Sequence, residues 1–265
     1  MNDIHPTAII GQDVVLGDGI KIHPYAVIDG KVEIGDGCVI GPFVHLTGWV
    51  KIGKLTKIYA HASIGEDPQD YSFDGTPGLV EIGDECLIRE GVTIHTPVHG
   101  DEGCKTIVSN KAFLMANAHV AHNVEVGENT VVANGTLLAG FAKVEERVFL
   151  SGNIGVHQFC HIGAYSIVSP VAKVVQNIPP FMTADGNPSL VHGLNVVGLR
   201  RNGFNEEQRS KIKDAYKMLY FSGLGYRAAC DEMEAKYKED PWIMRLVTFV
   251  RQSKRGIIGA AQKGE

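Results

Sequence analysis

An aliphatic residue recurs at every sixth position through most of this chain, and this period constrains the fold more than any other feature. The ladder runs without a failure over residues 4–64, resumes in register over 82–94, and continues over 108–174. An amphipathic helix would repeat every 3.6 residues and an ordinary strand every two. The pattern therefore indicates a short strand and a turn that repeat together as one unit.

Three such units close an eighteen-residue coil with its aliphatic side chains inside, which is the coil of a parallel β-helix. Glycine often follows the aliphatic position, as at Gly11, Gly17 and Gly35, and suits the tight corners that each coil requires. The pattern resembles the hexapeptide-repeat family, whose prism is left-handed. We therefore predict a mainly β protein built on a parallel β-helix, and the resemblance implies that this β-helix is left-handed.

Two interruptions and a change of pattern divide the chain. Residues 66–80 and 96–106 break the ladder and are predicted to form loops. The ladder then gives way, so we predict a β-helix over 1–186 and a C-terminal α-helical domain over 187–265. Helices are expected from Asn187-Pro188 to about Arg201, from the capping-box sequence at Asn205 to about Gly223, and over 226–237 and 241–254. This domain would close the open end of the β-helix or bind a partner.

Composition argues against several classes of protein. The formal net charge is −5, whereas a nucleic-acid-binding domain would be strongly basic. No apolar run approaches the ~18 residues of a membrane-spanning helix, and the first residues lack the basic and apolar segments of a secretion signal. The five cysteines contain no CxxC pair, so neither a disulfide framework nor a zinc knuckle is expected. A cytoplasmic location is the default expectation.

The candidate chemistry centres on His122. Two positions after the inward Val120, it should lie on the outer wall of the β-helix at a corner. The same azimuth recurs every eighteen residues, so His122, Gly140 and Gln158 are expected to form one column on successive coils. A possible base, an unhindered main-chain N–H and an amide then line one wall, as an oxyanion site requires. The neighbouring column, suited to an acyl chain, holds Asn123, Phe141 and Phe159.

Two other interpretations of the histidines stay open. An exposed histidine on a β-helix is more often plain surface than a catalyst, and His119 alone would belong to that class. The pairs His95 and His99, or His157 and His161, have spacings that could ligate zinc. On this ladder, however, such spacings do not bring the paired side chains to one face, so no metal site is expected.

Several motifs are more specific than the ladder. They are Pro68-Gln69-Asp70, Val92-Thr93-Ile94-His95, Asn117-Ala118-His119-Val120-Ala121-His122, Leu138-Ala139-Gly140, Val156-His157-Gln158-Phe159 and Leu199-Arg200-Arg201. Through them the chain resembles, over nearly its whole length, the acyl-carrier-protein-dependent UDP-N-acetylglucosamine 3-O-acyltransferases of lipid A synthesis. The resemblance implies a homotrimer with active sites between subunits, a UDP-sugar substrate, and acyl carrier protein as a partner.

The resemblance also assigns roles to single residues. His122 would be the general base that removes the proton of the sugar 3-hydroxyl, and the N–H of Gly140 would stabilise the oxyanion. The residues expected to hold the sugar nucleotide are Asp70, His119, Gln158, Asn195 and Arg201, with His95 and His157 near the site. No bound cofactor is expected, because the donor is carried on the phosphopantetheine of acyl carrier protein. That acidic protein could contact Arg200, Arg201, Arg209, Lys211 and Lys213, although these residues could equally form a solvated face.

The chain departs from the family pattern near the site. Charged or titratable groups of the family are replaced here by Phe141, Asn123, Ser72, Val197 and Asn202. Asn123 follows the candidate base, at a position where the family has Asp, and Pro170 implies a shorter or differently shaped acyl pocket. A divergent member that prefers a 3-amino sugar nucleotide or an unusual donor is consistent with these changes. The alternatives are another hexapeptide-repeat acyltransferase that uses acyl-CoA or an amino-sugar acceptor, and a non-catalytic homologue.

Overall fold

The computed structural model describes residues 1–76, 78–100 and 103–262, and it shows a three-faced β-helix followed by α-helices. Within each face a strand pairs in parallel with the strand of the next coil. Lys21, for example, pairs with Val39, eighteen residues further along the chain. The predicted coil of three six-residue units is therefore confirmed.

The strands of face 1 are β1 (Asp3–Ile4), β4 (Lys21–Ile22), β7 (Val39–Ile40), β10 (Lys57–Ile58), β13 (Leu87–Ile88), β16 (Phe113–Leu114), β19 (Val131–Val132), β22 (Phe149–Leu150), β25 (Ile167–Val168), β27 (Met182–Gly186) and β28 (Ser189–Leu194). The strands of face 2 are β2 (Ile9–Ile10), β5 (Val27–Ile28), β8 (His45–Leu46), β11 (Ser63–Glu66), β14 (Thr93–His95), β17 (His119–Val120), β20 (Leu137–Leu138), β23 (Gly155–Val156) and β26 (Lys173–Val174). The strands of face 3 are β3 (Val15–Leu16), β6 (Lys31–Ile34), β9 (Trp49–Ile52), β12 (Leu79–Ile82), β15 (Lys105–Val108), β18 (Glu125–Val126), β21 (Lys143–Val144) and β24 (His161–Ile162).

The ladder side chains fill the interior of the prism. Ile28, Ile64 and Val120 are fully buried, and so is Cys160 at a fifth position of the repeat. Each coil covers the aliphatic side chains of the coil before it, which provides the burial that stabilises the stack. In the first coil the ladder is less covered, and Ile4 is 40% exposed.

Both interruptions of the ladder form loops, with narrower bounds than the sequence indicated. The first loop occupies 67–78 between β11 and β12, and the second occupies 96–104 between β14 and β15. The predicted bounds 66–80 and 96–106 are too wide because Leu79 and Lys105 already pair in face 3. Pro77 in the first loop, and Asp101 and Glu102 in the second, lie outside the described residues.

The C-terminal part is helical, as predicted, except at its start. The helices are α1 (Val196–Arg201), α2 (Glu206–Phe221), α3 (Tyr226–Tyr237) and α4 (Pro241–Gln252). The capping box of α2 between Asn205 and Gln208 is confirmed. The expected helix start at Asn187-Pro188 is wrong, because β28 pairs antiparallel with β27 and satisfies the backbone groups of that edge. The proposed boundary between 186 and 187 falls in the turn of this hairpin.

The helices pack against the last coils of the prism through an aromatic cluster. The rings of Tyr165, Phe181, Phe204 and Trp242 lie 4.7–6.3 Å apart between centroids. Aromatic pairs at such separations add to the energy of area burial. Among the described residues, no helix combines the length and apolar character needed to cross a membrane.

A partly buried ion pair adds a second attachment between the helices and the prism. Arg245 of α4 bonds the carboxylates of Glu145 and Glu146 on the corner after β21. Burial alone would raise the pKa of Glu145, but bonds from His161, the Ala164 N–H and Arg245 outweigh it and hold that pKa at about 2. Glu145 is therefore ionised at neutral pH, and its charge requires these partners.

Candidate active site

The column predicted from the eighteen-residue period is present. The N–H of Phe141 donates to the carbonyl of His122, and the N–H of Phe159 donates to the carbonyl of Gly140, both at 3.1 Å. These bonds stack His122, Gly140 and Gln158 on successive coils at the corner between faces 2 and 3. The backbone ladder therefore brings these three residues together.

The outer-wall position of His122 suggested an exposed surface residue. In the structure His122 is buried instead, because the first loop covers it. Only 6% of the residue is accessible, and Oδ2 of Asp70 from that loop lies 3.5 Å from its Nε2. The imidazole also lies directly on Gly140, where a Cβ would approach its Cε1 to 2.2 Å. The glycine thus makes room for the histidine ring, a role that the sequence alone did not indicate.

Asn123 fixes the orientation of the His122 ring. Its φ of 58° lies in the left-handed region, which asparagine tolerates better than most residues. Its Oδ1 accepts a bond from the N–H of Val98 in the second loop and lies 3.1 Å from Nδ1 of His122. Because the Val98 N–H identifies this atom as the amide oxygen, Nδ1 of His122 must donate to it. The lone pair of Nε2 then faces Asp70 and the groove.

Asp70 is held in place by its own loop. The N–H and the hydroxyl of Ser72 donate to Oδ1 of Asp70, at 2.9 Å and 2.6 Å. These bonds, the hydroxyl first, hold the pKa of Asp70 below its ordinary value, and the nearby His122 acts in the same direction. Oδ2 therefore carries negative charge beside Nε2 at neutral pH. Ser72 therefore orients this carboxylate.

His95 and His119 lie beside His122 on face 2. Burial, with the neighbouring His95 and His122 acting in the same direction, lowers the pKa of His119 to about 4. Burial likewise lowers the pKa of His95, which is only 5% exposed and whose Nδ1 has no hydrogen-bond partner among the described residues. Thr93 contacts Nδ1 of His119 at 2.7 Å. Both rings are neutral at neutral pH and can bond a polar ligand.

These residues line an open groove of about 490 Å³ on face 2, which we call the face 2 groove. Of the predicted site residues it contains Asp70, His95, His119, His122, Gly140, His157 and Gln158. It also contains Leu137, Gly155 and Lys173, which the sequence analysis missed. Their signal was available, since they follow His119 at successive intervals of eighteen residues.

The predicted aromatic column lies beside the base. Phe141 and Phe159 stack with their ring centroids 4.9 Å apart, and Phe141 meets the His122 ring edge-on at 5.3 Å. Both phenyl rings remain partly exposed, at 41% and 50%. The column is therefore an apolar surface next to His122, and its use by an acyl chain stays a prediction.

Asn195 and Arg201 do not join this groove. They line a cleft of about 310 Å³ on face 1, the face 1 cleft, together with Arg147, Phe149 and Asn202. The Asn195 amide is engaged within the chain, since its Oδ1 accepts from the Gly198 N–H and its Nδ2 donates to the Tyr165 carbonyl. One copy of the chain thus carries the predicted residues in two separate places.

In the described part of the chain, no group of three or more His, Cys, Asp or Glu side chains is arranged to hold a metal ion. The histidines with zinc-like spacings contact different partners. His99 lies 3.9 Å from Asp74, and His161 lies 2.9 Å from Glu145.

The repeats and the buried histidine beneath a loop define a transferase of the hexapeptide-repeat class. The family model described as bacterial transferase hexapeptide (six repeats) matches residues 31–66 and 105–140. The model described as Udp N-acetylglucosamine O-acyltransferase, Domain 2, matches residues 177–258. The β-helix is left-handed, as in this class.

Similar proteins narrow the class to one family. An acyl-[acyl-carrier-protein]--UDP-N-acetylglucosamine O-acyltransferase of Janthinobacterium sp. (strain Marseille) is 45% identical over 262 residues, covering 97% of this chain and 100% of that protein. The acyltransferase structure from Bacteroides fragilis 9343 matches with 37% identity and a TM-score of 0.92, over 96% of this chain and 99% of that one. The acyltransferase structure from Francisella novicida matches with 34% identity and a TM-score of 0.94, over 98% of this chain and 95% of that one. The chain belongs to the UDP-N-acetylglucosamine O-acyltransferase family.

Proposed function

We propose that this protein transfers an acyl chain, such as a 3-hydroxyacyl chain, from acyl carrier protein to the 3-hydroxyl or 3-amino group of UDP-N-acetylglucosamine. This is the first step of lipid A biosynthesis. The observation that carries the proposal is the arrangement of Asn123, His122 and Asp70 against Gly140, together with the names of the relatives. Nε2 of His122 is the one basic atom that the arrangement presents to a substrate hydroxyl between the loop and Gly140.

In this mechanism Nε2 of His122 removes the proton of the sugar 3-hydroxyl as its oxygen attacks the thioester carbonyl. The resulting imidazolium lies 3.5 Å from the carboxylate of Asp70, which stabilises the new charge. The tetrahedral oxyanion is received by the Gly140 N–H. Collapse breaks the C–S bond, and the proton on His122 passes to the departing phosphopantetheine thiolate.

The neighbouring side chains position the acceptor. His95 and His119 are neutral and offer ring nitrogens to sugar hydroxyl groups, and Gln158 offers an amide directly above Gly140. His157 lies at the edge of the same groove, with its Nδ1 3.5 Å from Arg255. Asp70 can accept a bond from the sugar.

The proposed site requires more than one copy of the chain. Arg201 and Asn195 lie in the face 1 cleft, whereas His122 lies at the far edge of face 2. A homotrimer that packs face 1 of one subunit beside face 2 of the next would join the two half-sites. Small-angle scattering that fits a compact monomer would contradict this assembly.

Acyl carrier protein is the proposed donor partner, and its phosphopantetheine is a substrate arm, not a bound cofactor. A wide cavity of about 1060 Å³ between β28 and α2 offers Lys213 and Lys217 beside apolar side chains. Two other residues considered for this contact are engaged within the chain. Lys211 pairs with Glu207 and Asp240, and the Arg209 guanidinium donates to the Phe204 carbonyl. We therefore favour Lys213 for this contact.

We also place the protein in the cytoplasm. All five cysteines are free thiols, as in proteins of reducing compartments. The proposed donor, acyl carrier protein, would be available in the same compartment.

The function is tested by incubating the purified protein with UDP-N-acetylglucosamine or its 3-amino analogue and a panel of acyl carrier protein thioesters. We expect product with at least one donor, and its loss in His122→Ala with nucleotide binding preserved. Absence of product with every donor, while both proteins bind nucleotide equally, would favour a non-catalytic homologue. Activity with CoA thioesters alone would favour the other class of acyltransferase.

A further inference from the structure

The face 1 cleft contains two arginines that have no carboxylate partner among the described residues. Arg147, on the corner between faces 3 and 1, and Arg201, on α1, both line this cleft. Within the described residues neither guanidinium lies within ion-pair distance of an acidic side chain. Arg245 and Arg251, in contrast, are each held by two carboxylates. The two cleft arginines therefore concentrate unneutralised positive charge at one place.

Asn202 fixes the side chain of Arg147. Nη1 of Arg147 donates to Oδ1 of Asn202 at 2.8 Å, while Nδ2 of Asn202 donates to the Gly198 carbonyl at 2.9 Å. The second bond determines which end of the amide faces Arg147. One of the five guanidinium N–H groups is used in this way, and no described residue accepts from the other four, which can bond a ligand.

The lining of the cleft suits a nucleoside diphosphate. Among its described residues none is acidic, and Phe149 and Val197 provide an apolar floor that is 40% and 49% exposed. Guanidinium groups bond phosphate oxygens in pairs and keep their charge at every physiological pH. Asn202 carries no charge, so Arg147 and Arg201 supply the positive charge of the cleft lining.

We infer that Arg147 and Arg201 together bind the diphosphate of the UDP-sugar, with Asn202 positioning Arg147. The inference rests on the proposed function for the identity of the nucleotide. The diphosphate contact would then come from the prism, through Arg147, as well as from α1, through Arg201. The diphosphate of one site would then be held by the face 1 cleft of the neighbouring subunit.

The test is calorimetric titration of the full-length protein with UDP, together with steady-state kinetics. Arg147→Ala should weaken UDP binding about 10-fold, since a bond to a charged group contributes roughly 1.5 kcal/mol or more. The KM for the UDP-sugar should rise by a similar factor, and the KM for the acyl donor should stay unchanged. Arg227→Ala, which removes an exposed arginine of α3, is the matched control and should bind UDP like the parent.

The double variant Arg147→Ala/Asn202→Arg separates ligand binding from a structural role. The new arginine places a cation in the cleft from α1. The logarithm of the Kd for UDP should therefore recover at least about half of the change caused by Arg147→Ala. If Arg147 only anchored α1, Arg147→Ala would lower the melting temperature without weakening UDP binding, and the inference would be wrong. A parent protein that binds no UDP would instead overturn the proposed function.

Discussion

Asn123 provides a sharp test of how the base is oriented. Asn123→Asp replaces an amide oxygen 3.1 Å from Nδ1 of His122 by a charged carboxylate oxygen, and the carboxylate can still accept the Val98 N–H. An opposite charge at this separation stabilises the protonated imidazole, with a typical effect of about 1–2 pH units on a partly desolvated pair. The acid limb of the kcat/KM profile should therefore move to higher pH by about that amount.

The measurement is the pH dependence of kcat/KM for the variant, the parent and Asn153→Asp. Asn153 has the same left-handed turn conformation, with φ of 57°, at a corner between faces 1 and 2, so its substitution controls for the added charge. On the acid side of the profile the Asn123→Asp enzyme should be roughly 10-fold slower for each unit of displacement. An unchanged acid limb in a variant of parental stability would refute the assignment of Asn123 as the acceptor for His122.

Three further outcomes follow from the same contacts. Gly140→Ala should lower kcat at least about 100-fold by displacing the His122 ring. The control Gly152→Ala, whose Cβ would come no closer than 3.3 Å to another atom, should have a kcat near that of the parent. Equal kcat values for the two variants would exclude the contact between Gly140 and His122. Folding lowers the pKa of His119 from 6.5 to about 4. As the pH falls from 6.5 to about 4, His119 therefore binds a proton in the unfolded chain but not in the native protein, and the native protein loses stability. Over that pH range the melting temperature of His119→Gln should fall less than that of the parent protein. Parallel plots of melting temperature against pH for the two proteins would contradict the burial effect. Arg245→Met should lower the free energy of unfolding in urea by roughly 2 kcal/mol, less than the ~3–5 kcal/mol of a fully buried pair, and an unchanged midpoint would show that the pair is not stabilising.

Much of the candidate site was predictable because it belongs to the repeat. In the coils without inserted loops, backbone hydrogen bonds join residues about eighteen positions apart, so sequence separation alone places His122, Gly140 and Gln158 in one column. The same rule identifies Leu137 and Lys173 above His119. It could not show that His122 is buried, because the first loop that covers it follows no period.

The end of the prism was less predictable for a related reason. A strand edge left open after β27 can be satisfied by a hairpin, a helix or a loop, and the short sequence after Asn187 carried no decisive pattern. The hairpin forms because β28 supplies hydrogen bonds to the free edge of β27. The capping box at Asn205, in contrast, is a local signal between neighbours in sequence, and it was read correctly.

The sequence by itself determined the coil, its core and the columns on its faces, because these depend on distances along the chain that a fixed period repeats. Only the tertiary structure decided which side chains complete the chemistry. The carboxylate of Asp70, the amide of Asn123 held by Val98, and the guanidinium of Arg147 held by Asn202 reach their partners through folded loops and a packed helix. Such contacts depend on where irregular segments settle in space, and no periodicity of the sequence encodes that position.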